Sequence, residues 1–202
     1  MLPMPETTLL AVVTRDADSR VLLIAERAGA VAFVIALTAA AAQVSVPLPF
    51  TPVPFTFQPM VVLLGAMALG SRLGATSQVL YLMLGVAGVP VFAASPLPQG
   101  IGRLIGPTGG YLMAYPVAAF VAGWLAERGL DRRYSTSVVA MACGLAIIFA
   151  SGVSWLALYV NPGRGIGAAL AAGLYPFIVK DLMKVILAAA IMPRVWAFTG
   201  RR

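Results

Sequence analysis

Apolar residues in this chain occur in runs too long for the core of a water-soluble domain, separated by short clusters of arginine, glycine and proline. A helix that crosses a bilayer needs roughly 20 mainly apolar residues. Runs of that kind lie at about 29–46, 110–126, 135–160 and 174–193. The stretch 57–90 is too long for one span, and Gly70-Ser71-Arg72-Leu73-Gly74 divides it into spans of about 57–70 and 73–89. Spans this short fit where the bilayer thins or where other helices bury them. The pattern predicts an all-α integral membrane protein of six transmembrane helices. Residues 1–28 are expected to form a cytoplasmic or interfacial leader, 29–193 the membrane domain and 194–202 a basic cytoplasmic tail.

Two connecting segments break the helical pattern. Residues 45–56 read SVPLPFTPVPFT, and prolines at 47, 49, 52 and 54 exclude helix and favour extended backbone. Residues 88–110 contain Gly100, Gly102, Gly106, Gly109 and Gly110. Both segments are apolar for solvated loops, with Phe50, Phe55, Phe92, Leu104 and Ile105. Irregular backbone at membrane depth is tolerated where protein buries it or where it lines a cavity. A lid over an outward-facing pocket fits these segments better than a pair of ordinary exposed loops.

Composition agrees with lipid as the solvent. Apolar residues make up 60% of the 202 and charged residues only 10%, against about 25% charged in a typical soluble domain. The net charge of +7 does not imply a nucleic-acid partner, because the basic residues sit between apolar runs and form no continuous face. They report orientation instead. With six spans and a cytoplasmic N-terminus, Arg15, Arg20, Arg27, Arg72, Arg128, Arg132, Arg133, Arg194, Arg201 and Arg202 fall inside, and only Arg103 and Arg164 fall outside. Both termini are therefore expected to be cytoplasmic. Cys143, the single cysteine, permits no internal disulfide, and its neighbours Ala142 and Gly144 suggest a buried packing residue.

Ionisable groups within a membrane span are costly and usually functional. Only the last expected span carries them, in Lys180-Asp181-Leu182-Met183-Lys184. Asp181 and Lys184 are spaced i, i+3 and share one helix face. They are either a structural ion pair or part of a ligand site, and the insertion cost favours the ligand site. Lys180 can instead snorkel to the interface. Gln58, at the start of the second span, is a ligand donor and acceptor or a helix cap. Arg103, in the glycine-rich segment, either meets an anionic group at the pocket mouth or sits in water. Tyr81, Tyr111 and Trp155 are candidates for an apolar wall, or else packing residues and interface anchors. Ala28, Ala32, Ala36 and Ala40 form a small-residue stripe on the first span, suited to close helix packing within the chain or against a partner.

Several chemistries have no sequence support. There is no histidine, no P-loop sequence, no GxGxxG after a strand and no metal-ligand cluster. Asp181 is the only acid in an expected span, so paired-carboxylate catalysis has no second member. No catalytic residues, cofactor or metal are expected. Transport driven by ATP would need hydrolysis by another subunit.

Four ordered segments carry a resemblance to a known family: PLPFTPVPFTFQ at 47–58, LLGAMALGSRLGATSQVLYLMLGVAGVPVFA at 63–93, LIGPTGGYL at 104–112 and YPFIVKDLMK at 175–184. Together they resemble BioY, the biotin-specific substrate-binding (S) component of energy-coupling-factor (ECF) transporters. The resemblance runs from about residue 30 to 193. It implies a six-helix ECF S-component-like fold in a prokaryotic cell membrane, with a biotin pocket under the loops before helices 2 and 4. The family's DLxK element falls on Asp181 and Lys184, which implies an acceptor for the ureido N–H groups and a donor to a ligand oxygen. Arg103 is then expected to neutralise the carboxylate, and Tyr111 or Trp155 to line the apolar part. The alanine stripe resembles the family's surface for the transmembrane coupling protein, so that protein and ATPase subunits are the implied partners. SPLPQGIGR, at 95–103, departs from the glycine- and serine-rich stretch common in the family. Rival readings are an S component for thiamine or riboflavin, and a self-sufficient secondary transporter, although no inverted repeat with broken helices is seen.

Overall fold

The computed structural model describes residues 8–14, 19–94, 99–159 and 165–198. Within them the chain is helical apart from one two-stranded ladder and short connections. Arg15, Arg164, Arg201, Arg202 and part of the 88–110 segment, residues 95–98, lie outside the described residues.

A short helix α1 (Leu9–Val13) precedes α2 (Arg20–Gln43), whose N-terminus is capped by Ser19 accepting from the Leu22 amide at 3.1 Å. α2 begins at Arg20 rather than at residue 29, so the leader boundary expected at 28 falls inside the helix. Ser19 supplies a start signal upstream of the purely apolar run, and hydropathy alone does not register it. The proline-rich segment then leaves the helix. Its ends close into a ladder, β1 (Ser45–Val46) against β2 (Phe55–Thr56), antiparallel with Ser45 opposite Thr56.

α3 (Gln58–Leu69) and α4 (Ser71–Val86) meet at a single residue, Gly70. Its φ of 86° lies in the left-handed region, where glycine has no steric penalty. A Cβ there would also approach Glu127 Oε1 to 2.7 Å. That carboxylate accepts from the Ser71 amide at 2.7 Å and the Ser71 hydroxyl at 2.8 Å, and so caps α4 from a distant part of the chain.

After α5 (Gly102–Ile105), α6 (Gly109–Met113) runs almost directly into α7 (Tyr115–Ala126). α7 is central: Ala118, Ala119, Ala122 and Ala126 are fully buried, and their small side chains let α3, α4 and α8 (Tyr134–Tyr159) approach closely. α9 (Gly165–Gly173) and α10 (Tyr175–Ala188) follow, with a break at Leu174, and α11 (Ile191–Phe198) closes the described chain. The span expected at 174–193 begins at this break but is cut after Ala188, before α11. Pro176 starts a new helix, α9 adds apolar length before it, and α11 runs into the expected basic tail.

Three helical stretches are each long and apolar enough to cross a membrane alone: Arg20–Gln43, Gly109–Ala126 and Tyr134–Leu158. Large apolar side chains such as Phe33, Val179, Leu187 and Leu158 stand exposed around the bundle, an arrangement suited to lipid and unfavourable in water. Cys143 is on this outer surface of α8 and is exposed. The buried position expected from its small neighbours is not the one it takes, because those neighbours lie on other faces of the helix.

Candidate functional site

One end of the bundle encloses an open hollow of about 680 Å³ including its mouth. Each side of it is built by a different part of the chain. The proline-rich segment contributes Val53, Pro54 and Thr56, and the start of α3 contributes Gln58. Phe92 and Arg103 come from the connection between α4 and α6. Tyr111 and Tyr115 come from α6 and α7, Phe149 from α8, and Phe177 and Asp181 from α10. The result is an aromatic cup carrying a carboxylate, a guanidinium and an amide.

Asp181 and Lys184 are 7% exposed each and form an ion pair. Their roles in the geometry differ. Asp181 lines the hollow, whereas Lys184 is not among the lining residues. Lys184 Nζ donates to Asp181 and, at 2.6 Å, to the Thr56 carbonyl, and it stands 3.7 Å from the Phe55 ring centroid. The cation thus fixes the carboxylate on one side and the proline-rich segment on the other. Lys180 is exposed, 5.4 Å from the same ring.

Arg103 is only 4% exposed, and its Nε has no hydrogen-bond partner among the described residues. Burial pulls its pKa below the ordinary value, yet a guanidinium in a protein remains charged. A buried cation facing a cavity favours an anionic occupant. Gln58 donates through Nε2 to the Tyr81 hydroxyl at 2.7 Å, and that hydroxyl donates to the Val91 carbonyl at 2.8 Å. Tyr81 packs edge-on against Phe92 at 5.6 Å between centroids. Tyr81 is therefore support behind the wall, holding Phe92 and Gln58 in place.

Tyr111 lines the hollow and donates to the Gly173 carbonyl at 2.9 Å. Trp155 does not line it: the indole N–H donates to the Gly106 carbonyl at 2.8 Å, and the ring packs on Gly109 and Gly110. It fastens the GPTGGY turn that sets the direction of α6. The wall residues Tyr115, Phe149 and Phe177 are not among the expected site residues. Helical spacing offered a signal for two of them, because Phe177 is four residues before Asp181 and Tyr115 four after Tyr111. Ala28, Ala32, Ala36 and Ala40 do not line the hollow and are exposed along α2.

Residues 13–201 match the BioY family. The chain belongs to that family. A relative named probable biotin transporter BioY, from Pyrococcus horikoshii, is 41% identical over 85% of this chain and 96% of its own length. The biotin transporter BioY of Thermotoga maritima is 40% identical over 79% of this chain and 89% of its own. Among solved structures, the S-component for biotin from an ECF-type ABC transporter superposes with a TM-score of 0.77, covering 90% of this chain and 95% of the other at 24% identity. That likeness shows that this BioY chain has the S-component fold.

Proposed function

We propose that this protein is a multi-pass protein of the prokaryotic cell membrane that binds biotin with high affinity and takes it up as the substrate-specific component of an ECF transporter. The observation that carries the reading is the convergence of Asp181 and Arg103 on one aromatic hollow beneath the proline-rich segment, in a chain whose relatives are named biotin transporters. Biotin has N–H donors on its ureido ring, an apolar thiophane and tail, and a terminal carboxylate. An ionised Asp181 accepts a ureido N–H, the rings of Tyr111, Tyr115 and Phe177 enclose the apolar part, and Arg103 neutralises the carboxylate. Lys184 serves this arrangement by keeping Asp181 ionised and oriented. Thiamine carries a positive charge, for which a buried arginine is a poor partner.

The remaining parts of the reading have their own support. Six spans with both termini cytoplasmic follow from the arginine bias, with α3, α4 and the α9–α10 pair as the spans that depend on neighbours for burial. The exposed stripe Ala28, Ala32, Ala36 and Ala40 offers a smooth surface for a transmembrane coupling protein. ATPase subunits joined to that protein would supply the energy, and this chain itself performs no chemistry. Isothermal titration of the purified protein with biotin, thiamine and riboflavin tests the assignment. Tight binding of biotin alone is expected without ATP or metal, and heat only with thiamine or riboflavin would refute it.

A further inference from the structure

The break between α9 and α10 releases backbone carbonyls, and those of Ala172 and Gly173 are taken up by residues of the hollow's enclosure. In an unbroken helix the Ala172 carbonyl would accept from residue 176, but Pro176 has no N–H to give. The Gly173 carbonyl would accept from Phe177, but that amide turns to the Leu174 carbonyl at 3.0 Å. Unpaired carbonyls inside a bundle are costly. The Thr51 hydroxyl donates to Ala172 O at 2.6 Å, across 121 residues, and the Tyr111 hydroxyl donates to Gly173 O at 2.9 Å. Gly173 has no side chain to obstruct the Tyr111 hydroxyl, which occupies the space a Cβ would need.

Thr51 has a second bond. Its hydroxyl oxygen accepts from the Val53 amide at 3.2 Å, and Val53 and Pro54 are, with Thr56, the residues of the proline-rich segment that line the hollow. One hydroxyl therefore joins the covering segment to the helix break from which α10 carries Phe177 and Asp181 into the site. We infer that Thr51 is a positioning residue that latches the cover to the α9–α10 break, so that opening the cover and relaxing the bend are one event. This rests on the reading of the hollow as the biotin site. In its terms, Thr51 touches no ligand and governs how fast biotin enters and leaves.

Thr51→Val keeps the shape and removes both bonds, whereas Thr51→Ser keeps both. With radiolabelled biotin and the full-length protein in nanodiscs, Thr51→Val is expected to raise association and dissociation rates together by roughly tenfold, the upper range for a neutral hydrogen bond, with affinity nearly unchanged. Thr51→Ser is expected to match the wild type. Unchanged rates in Thr51→Val, a faster dissociation matched by an equal loss of affinity, or a serine variant that behaves like valine would each overturn the latch. Amide exchange without biotin separates this from the parent reading. Thr51→Val should exchange faster both at 50–56 and at 170–178, and a change confined to 50–56 would sink the coupling even if biotin binds.

Discussion

Lys184 is shared between two groups far apart in the chain: its ammonium donates to the Asp181 carboxylate one turn away and, at 2.6 Å, to the Thr56 carbonyl 128 residues earlier. The pair is thus a fastening as well as a charge balance. Removing one partner of a buried pair strands the other, at a cost of about 3–5 kcal/mol, whereas replacing both with apolar residues is often neutral. Lys184→Met is expected to lower stability by that amount, measured by thermal unfolding in detergent. The double variant Asp181→Leu/Lys184→Leu is expected to stay near wild-type stability and to lose biotin binding. Retained binding in the double variant would remove Asp181 from the site.

Arg103 discriminates ligands by charge. Arg103→Gln is expected to weaken biotin binding by about 1.5–3 kcal/mol, the worth of a hydrogen bond to a charged group. The binding of biotin methyl ester, which has no carboxylate charge, should change little. Competition against labelled biotin measures both, and an equal loss for acid and ester would place the carboxylate elsewhere.

How far the sequence could be read depends on what each feature needs. The membrane solvent, the helix-breaking segments and the pairing of Asp181 with Lys184 follow from composition and local chemistry, which a sequence displays directly. The start of α2 at Arg20 depends on a cap rather than on hydropathy, so a run of apolar residues misplaces it, whereas the start expected at 174 meets the break at Leu174. Cys143 faces outward because helix phase, not the size of its neighbours, decides exposure. Lys184 and Trp155 lie behind the hollow's wall because their partners, Thr56 and Gly106, are distant in sequence and only the folded chain brings them near. Phe177 and Tyr115 were readable from helical spacing.

Gly152 makes room for the Tyr111 ring, whose edge atoms occupy the space a Cβ would need. Gly152→Ala must displace that ring, and overpacking of this kind costs typically 1–3 kcal/mol. Lower thermal stability and weaker biotin binding are expected together. If affinity is unchanged while stability falls, the Tyr111 ring is not part of the ligand's wall.

The outer face of α2 is expected to act separately from the pocket. Ala32 and Ala36 are exposed, so Ala32→Trp or Ala36→Trp creates no clash within the chain but roughens the stripe. Biotin affinity should stay at the wild-type level while co-purification with the coupling protein is lost. Intact assembly would remove the stripe from the interface.

At the turn between α7 and α8, Asp131 is fully buried, and the Trp196 indole of α11 donates to its carboxylate. Arg132 lies 3.7 Å from the same carboxylate and stacks over the Trp196 ring at 3.6 Å. Burial pushes the Asp131 pKa above the ordinary 3.8, while the bond from Trp196 and the charge of Arg132 pull it down. The Trp196 bond favours the ionised form, so its contribution is present above the folded-state pKa and is lost as falling pH protonates the carboxyl. Trp196→Phe keeps most of the ring and removes the donor. It is expected to destabilise by about 1.5–3 kcal/mol at pH 7, and the deficit should shrink toward pH 4 as the carboxyl protonates. Unfolding temperatures of both proteins across that range provide the check. A deficit that stays constant with pH would mean that ring packing, rather than the bond to Asp131, holds α11 against the bundle.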